Sequence, residues 1–159
     1  MKIQLWVVGK TTQDFVEQGL TEFCERIKHF LPFEMQVIPD LKDTKSLTSE
    51  QVKEKEGEWI LKAIHPGDYV VLLDEQGRNF TSVQFSEYLE RKLQTVPKTL
   101  VFIIGGPYGF SQKVYKAAQE KIALSKMTFS HQLVRLIFAE QLYRAFTILK
   151  GEPYHHGDI

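Results

Sequence analysis

Two uninterrupted apolar runs constrain the fold of this chain more than any other feature of its sequence. They occupy residues 69–73 (YVVLL) and residues 100–104 (LVFII), the latter within the predicted strand 99–104. Continuous runs of this length are typical of strands covered on both faces, whereas a strand with one wet face alternates apolar and polar residues. Strands covered on both faces belong to parallel sheets that lie between two layers of helices. The two runs therefore predict an α/β fold.

Strand and helix patterns alternate along the rest of the chain. The predicted strands are residues 2–9, 33–38, 69–73, 99–104 and 122–124, and the predicted helices are residues 16–30, 48–64, 81–94, 111–119 and 130–149. Thr48 and Thr81 each precede a glutamine by three residues, which is the capping-box pattern of a helix start. No linker or repeat divides the 159 residues, so we expect one domain with a mostly parallel sheet flanked by helices. Residues 69–73 are expected to form a central strand, and the residues from about 151 to 159 a flexible tail.

Composition excludes several classes of function. Lys and Arg (20) balance Asp and Glu (20), which argues against a protein that coats nucleic acid or anionic membrane through bulk charge. The apolar stretches reach about five residues, where a membrane-spanning helix needs roughly 20. The N-terminus has no cleavage-site pattern, so we expect a cytoplasmic protein without a membrane partner. The single cysteine, Cys24, falls at a helical packing position and has no second cysteine with which to form a disulfide or a zinc site.

The carboxyl ends of the predicted strands are the first place to look for a ligand, because open parallel sheets bind ligands just beyond those ends. These segments are residues 73–77, 105–109 and 124–129. The glycines of the second segment allow either a close approach of backbone to a ligand or simple left-handed turns. The chain has no P-loop, no GxGxxG turn and no GxSxG elbow, and its five histidines lack the four-residue zinc spacing. A phosphate-rich cofactor, a catalytic metal and a hydrolase triad are therefore all disfavoured.

The last predicted helix is too apolar to have one exposed face. Between residues 133 and 149 its polar positions are Arg135, Glu140, Gln141, Arg144 and Thr147. A domain of this size does not readily surround a helix, so we expect a subunit interface to cover part of it. Glu140 and Arg144 have the i, i+4 spacing of a salt bridge. The residues alone leave a structural pair and a functional pair as equal alternatives.

Four motifs together resemble the ribosomal RNA large-subunit methyltransferase H family. They are residues 104–109 (IGGPYG), 124–131 (LSKMTFSH), 142–145 (LYRA) and 153–155 (PYH). The motifs occur in the family's order and at its spacing. The resemblance extends over essentially the whole chain, and it includes the first strand up to Gly9, the segment 55–58 (KEGE) and Leu73 with Asp74.

The resemblance implies a SPOUT-class α/β fold with a C-terminal trefoil knot, a homodimer, and S-adenosylmethionine as the cofactor. The knot departs from the usual unknotted topology, and only the family supplies it. The cofactor-binding residues implied by the resemblance are Leu73, Gly105, Leu124, Ser125, Lys126, Met127, Thr128 and Phe129.

The implied reaction is methylation at N3 of a pseudouridine in 23S ribosomal RNA of the assembled ribosome. An imide N–H is a poor nucleophile, so a base that takes its proton and donors that stabilise the oxygen charge would lower the barrier. The candidate catalytic residues are His131, Arg135, Glu140, Arg144, Tyr154 and His155. His131, His155 and Glu140 are alternative bases, and the arginines are candidates for contacting phosphate or a base carbonyl. Lys113, Lys116 and Lys121 form either a local basic face or a solvated one.

One departure from the family pattern lies near the end of the chain. Where the family places an arginine or lysine after Tyr-His, this sequence has His156, so a titrating side chain replaces a permanent cation. A rival interpretation is a non-catalytic RNA-binding or ribosome-associated module on the same scaffold, which would not bind S-adenosylmethionine. A more distant rival is a flavodoxin-like enzyme, which the missing phosphate motifs disfavour.

Overall fold

A computed structural model describes residues 1–157 and contains five strands and five α-helices. The last two residues of the predicted tail, Asp158 and Ile159, lie outside the described residues. The elements in chain order are β1 (Lys2–Val8), α1 (Asp14–Lys28), β2 (Phe33–Ile38), α2 (Ser49–Ala63), β3 (Asp68–Asn79), α3 (Ser82–Thr95), β4 (Thr99–Ile104), α4 (Gln112–Ala117), β5 (Glu120–Ala123) and α5 (Leu133–Lys150). A short 3-10 turn, Thr44–Ser46, lies in the segment predicted to be a loop. The strands and helices alternate as predicted.

All the strand pairs of the sheet are parallel, and the strand order is β2-β1-β4-β3-β5. The α/β class with a mostly parallel sheet is therefore confirmed. The middle position belongs to β4, all six residues of which are buried, and β3 is the internal strand beside it. From β1 the chain passes to β2 on one side of the sheet, and from β4 it passes to β5 on the other side. The chain thus leaves β1 toward one edge of the sheet and β4 toward the other, and sheets of this kind bind ligands beyond the carboxyl ends of their strands.

Two apolar layers cover the two faces of the sheet. Leu5 and Val7 point to one face, where they pack with residues of α1, α3 and α5, whereas Trp6 and Val8 point to the other face, under α2 and α4. Both faces of the inner strands are therefore dry, which explains the unbroken apolar runs of the sequence. Cys24 packs against the first of these layers.

Local side-chain hydrogen bonds set several helix starts where the sequence predicted them. Thr48 and Thr81 form complete capping boxes with Gln51 and Gln84, and the Ser111 hydroxyl accepts from the Val114 N–H at the start of α4. The long helix α5 begins at Leu133, three residues later than predicted, because residues 131 and 132 form a turn. The hydroxyl of Ser130, the predicted start, nevertheless accepts from the Leu133 N–H at 3.0 Å.

The third strand is longer than predicted. It continues from residue 73 to Asn79, and its pairing with β5 shifts register between Leu73 and Arg78. Gly77 lies in this irregularity, where a Cβ would stand 2.6 Å from the backbone of Ile122, so only glycine fits. Pairing with β3 also starts β5 at Glu120, two residues before the predicted start.

The chain itself covers much of α5. The helix packs between α1 and α3 on one face of the sheet, and Lys150 is the exposed residue among its 18. Seven residues are buried, including Phe138, Leu142 and Phe146, and the other apolar ones are half-buried. Intramolecular packing thus accounts for part of the apolar character that predicted a subunit interface. Among residues 1–157, no helix combines the length and the apolarity that a bilayer span requires.

Candidate functional site

A cavity of about 1030 Å³ opens at the carboxyl ends of β3 and β4 and beside the segment that follows β5. Seven of the eight predicted cofactor-binding residues line it, namely Leu73, Gly105, Leu124, Ser125, Met127, Thr128 and Phe129. Lys126 is not among the lining residues. Of the predicted catalytic residues, His131 lines the cavity. The three strand ends singled out by the sequence thus meet at one site, and the cavity lies at the upper end of the range for small-molecule sites, roughly 300–1,000 Å³.

The glycine-rich turn after β4 forms one wall of the cavity. Gly109 has a φ of +84°, and its N–H donates to the carbonyl oxygen of Gly106 at 3.1 Å, which closes the turn. A Cβ at Gly105 would stand 3.1 Å from the ring of Phe110, another lining residue. The ring of Phe110 therefore fills the space that a side chain at residue 105 would need, and the turn exposes backbone to the cavity.

Helix α4 supplies a wall that the sequence did not reveal. The Tyr115 hydroxyl donates to Asp74, and the other carboxylate oxygen of Asp74 accepts from the Gln76 N–H at 2.8 Å. Burial and the bond to Asp74 raise the pKa of Tyr115 well above its usual value. This contact ties α4 to the end of β3, with both side chains in the cavity lining. The six-residue α4 is too short to show a helical apolar period, so Tyr115 carried no signal.

The cavity lining combines apolar side chains with carboxylates. Its acidic residues are Asp74, Glu75 and Glu120, and Lys121 is a basic one. Glu120 is held in its charged form: burial opposes ionisation, but bonds from Lys92 at 2.8 Å, Tyr69 at 2.7 Å and Tyr88 at 2.9 Å outweigh it and lower its pKa. Such a lining favours a ligand with apolar surface and positive charge. The residues described hold no group of three or more His, Cys, Asp or Glu side chains able to bind a metal ion.

Four other predicted catalytic residues form a separate group, the C-terminal cluster of Glu140, Arg144, Tyr154 and His155. Glu140 Oε2 accepts from Arg144 at 2.7 Å and from the Tyr154 hydroxyl at 2.7 Å, and an Arg144 nitrogen lies 3.0 Å from His155 Nδ1. The Arg144 guanidinium lies 4.8 Å from the centre of the Tyr154 ring. The described part of the tail is therefore held against α5.

The C-terminal cluster has donors to spare. Within residues 1–157, Arg144 Nε and His155 Nε2 are buried and have no hydrogen-bond partner. Burial and the bond to Glu140 raise the pKa of Tyr154 to about 12, which keeps its hydroxyl protonated. Buried polar groups are seldom left unpaired, so these two nitrogens mark a place where a polar ligand would be accepted.

One chain does not bring the C-terminal cluster to the cavity. Val134 lines the cavity, and Arg144 lies ten residues further along α5. At 1.5 Å per residue this puts about 15 Å between them along the axis. His131 and the C-terminal cluster are therefore separate sites within a single chain.

Arg135 is neither a cavity-lining residue nor part of the C-terminal cluster. Its side chain is 1 % exposed and donates to the carbonyl oxygens of Val8 and Gly9 at 2.8 Å each. It also donates to the His131 carbonyl at 3.0 Å and to the Thr11 hydroxyl at 3.1 Å. These contacts join the start of α5 to the end of β1. Because these four hydrogen bonds occupy most of the guanidinium's donors, they favour a structural role for Arg135 over a contact with RNA.

Comparison with known proteins identifies relatives across the whole chain. The family described as Predicted SPOUT methyltransferase matches residues 1–155. A protein of Parabacteroides distasonis named Ribosomal RNA large subunit methyltransferase H is 65% identical over 156 residues, which are 98% of this chain and 99% of that protein. Proteins of the same name from Phocaeicola vulgatus and Cytophaga hutchinsonii are 64% and 52% identical, over 98% of this chain and 99% and 100% of theirs.

Proposed function

The chain belongs to the SPOUT methyltransferase family, and from this premise we propose that it transfers a methyl group from S-adenosylmethionine to N3 of a pseudouridine in 23S ribosomal RNA. The relatives named as ribosomal RNA methyltransferases support RNA as the substrate class. The observation that carries the proposal is the cavity, since seven of the eight residues expected to bind the cofactor line it. The assembled ribosome in the cytoplasm is the proposed setting.

The cavity suits S-adenosylmethionine in size and in charge. Leu73, Leu124 and Phe129 offer apolar surface for the adenine, and the glycine-rich turn offers backbone groups at close range. The carboxylate of Asp74, which accepts bonds from the uncharged Tyr115 hydroxyl and Gln76 N–H, suits a ligand with a sulfonium and an ammonium group. When bound, the cofactor supplies an electrophilic methyl group.

The role of the protein's own side chains is to make N3 a nucleophile. The N3 proton must pass to a base, and the negative charge that appears on the adjacent carbonyl oxygens needs hydrogen-bond donors. His131 at the cavity, and His155 and Glu140 of the C-terminal cluster, remain the candidates for that base. Arg144 already donates to Glu140, and its Nε, which has no partner within residues 1–157, is a further donor for a carbonyl or a phosphate oxygen.

In a homodimer, the cavity of one protomer could lie beside the C-terminal cluster of the other. Val134 at the cavity and Arg144 of the C-terminal cluster lie about 15 Å apart along α5 of one chain, so a second copy would put one chain's cluster beside the other's cavity. The half-buried apolar side chains of α5 and the symmetry of common dimers support this arrangement. We therefore propose that the active site is shared between two protomers.

The proposed reaction is tested on ribosomes from a strain that lacks this protein. Incubation with the purified protein and S-adenosylmethionine is expected to add one methyl group to a pseudouridine, detected by mass spectrometry of digested 23S ribosomal RNA. Free RNA of the same sequence is the comparison substrate. Binding of S-adenosylmethionine without any transfer to either substrate would favour another methyl acceptor, and absence of cofactor binding would favour the non-catalytic RNA-binding module.

Gly105→Val is expected to weaken binding of S-adenosylmethionine at least roughly tenfold, or 1.4 kcal/mol. The added side chain must displace the Phe110 ring, which lies 3.1 Å from the Cβ position and itself lines the cavity. Calorimetric titration measures the affinity, and Phe110→Leu is the control because it alters the same packing without adding bulk at the turn. Equal affinity of the folded valine variant and the parent would remove Gly105 from the cofactor site.

A further inference from the structure

The glutamate of the segment 55–58 occupies a core position of α2. Val52, Glu56 and Ile60 follow one another at four-residue spacing, and all three are buried. Glu56 is 5 % exposed, and its Oε1 is buried without a hydrogen-bond partner in residues 1–157. A carboxyl group in such a place is costly unless it remains neutral or acts on something nearby.

The Glu56 carboxyl group packs against Gly106 in the glycine-rich turn of the cavity. A Cβ at Gly106 would stand 2.6 Å from Glu56 Oε2 and 2.7 Å from Oε1, so a Cα hydrogen of Gly106 points between the two oxygens. Gly106 lines the cavity, whereas Glu56 is not among its lining residues. Next to Glu56, a Cβ at Gly57 would stand 2.6 Å from the Ser111 hydroxyl, so α2 also packs closely on the start of α4.

We propose that Glu56 is a positioning residue whose buried carboxyl group holds the Gly105–Gly106 backbone in the shape that lines the cofactor cavity. The inference rests on the proposed cofactor site. It assigns a role to a residue that does not line the cavity itself but contacts Gly106, which does. Ionisation or replacement of Glu56 would therefore change cofactor affinity by changing the shape of the glycine-rich turn.

The surroundings of Glu56 favour the neutral acid. Burial raises its pKa to about 7, and the nearby carboxylate of Asp40 adds to the effect. Ser111 of α4 and Gly106 of the turn bring no charge to it. An ionised Glu56 would need water or a cation, which the close packing of α2 on the turn excludes. Ionisation is therefore expected to loosen this contact.

The raised pKa of Glu56 determines how the stability of the folded protein changes with pH. The pKa of Glu56 is raised from 4.5 to about 7, so its proton stabilises the folded protein fully below pH 4.5, and this stabilisation is lost as the pH rises through about 7. If the turn depends on the neutral acid, then affinity for the cofactor decreases over the same upper part of the range. Glu56→Gln retains the shape but cannot ionise, so it removes the dependence.

The experiment is calorimetric titration of S-adenosylmethionine at pH 6 and at pH 8.5. The parent is expected to bind at least threefold more weakly at the higher pH than Glu56→Gln does, with the two alike at pH 6. The amino group of the cofactor titrates in this range too, but it affects both proteins equally. Glu58→Gln, an exposed change on the same helix, is the matched control and should behave as the parent. Thermal unfolding at each pH verifies that every variant is folded.

A second variant tests the contact without titration. Gly106→Ala puts a methyl group where the Glu56 oxygens lie, and we expect it to weaken cofactor binding in the parent but much less in a Glu56→Ala background. Equal pH profiles of cofactor affinity in the parent and Glu56→Gln would overturn the role of Glu56 but leave the proposed cofactor site intact. Additive effects of Gly106→Ala and Glu56→Ala on that affinity would have the same meaning. A folded parent that binds no S-adenosylmethionine at either pH would overturn the proposed cofactor site, and this inference with it.

Discussion

A chain that ends at Glu152 is expected to lose methyl transfer to ribosomal RNA by at least roughly 100-fold, the smaller end of what a general acid or base contributes. The truncation removes Tyr154 and His155, and it leaves Glu140 and Arg144 without two of their partners. The cavity is lined by residues 72–134, so binding of S-adenosylmethionine should not change. Single-turnover transfer to ribosomes that lack the modification measures the loss.

Point variants separate packing from chemistry in the C-terminal cluster. Tyr154→Phe removes one hydrogen bond to Glu140 and is expected to cost about 1 kcal/mol of stability, while the ring contact with Tyr143, at 4.8 Å between centroids, remains. His155→Ala removes the ring beside Arg144.

If the truncated chain retains transfer within about threefold of the parent, a difference of under roughly 0.7 kcal/mol, the tail has no part in the reaction.

Mixing two impaired proteins, at a cofactor concentration too low to saturate Gly105→Val, tests whether two protomers share the site. One is the chain that ends at Glu152, and the other is Gly105→Val, which keeps its tail but has an altered cavity. If the cavity of one protomer works with the tail of the other, exchange of subunits restores transfer in the mixture. Activity of the mixture no greater than that of its parts, after verified exchange, would place cavity and tail in one chain and contradict the shared site.

The sequence predicted those parts of the fold that depend on short stretches of chain. Thr48 and Thr81 start helices through bonds to residues three positions away, and the apolar run of β4 reflects its place inside the sheet. The extension of β3 beyond residue 73 could not be predicted, because residues 74–79 are mostly polar and pair with β5 only after a shift of register. That extension depends on a strand that follows it by some 40 residues of chain.

The position of the cavity was predictable because two independent arguments led to the same residues. The rule for strand ends selected residues 73–77, 105–109 and 124–129, and the family resemblance selected Leu73, Gly105 and the last of these segments. Phe110 and Tyr115 were missed, since only the tertiary packing of the short α4 turns them to the cavity. Glu56 did carry a signal, because its spacing from Val52 and Ile60 put a carboxyl group on an apolar stripe.

Replacement of Arg135 by methionine is expected to destabilise the protein by about 3–5 kcal/mol, because it removes the donor to several buried acceptors, each of which costs roughly 1–3 kcal/mol if left unsatisfied. The sequence could not assign this residue, because its partners Val8 and Gly9 precede it by 127 and 126 positions. Methionine keeps the length of the side chain but leaves the carbonyl oxygens of Val8, Gly9 and His131 without donors, at about 1–3 kcal/mol for each one that water cannot reach.

Urea denaturation of Arg135→Met measures this loss, and Arg91→Met on the exposed face of α3 serves as the control, with an expected change within about 0.5 kcal/mol. The two alternatives for Arg135 differ in outcome. If it is structural, stability falls, and methyl transfer by the fraction that remains folded falls by a few fold at most, through movement of the adjacent His131. A variant of nearly unchanged stability that had lost transfer to ribosomes would instead give Arg135 a direct part in the reaction, which its four internal hydrogen bonds argue against.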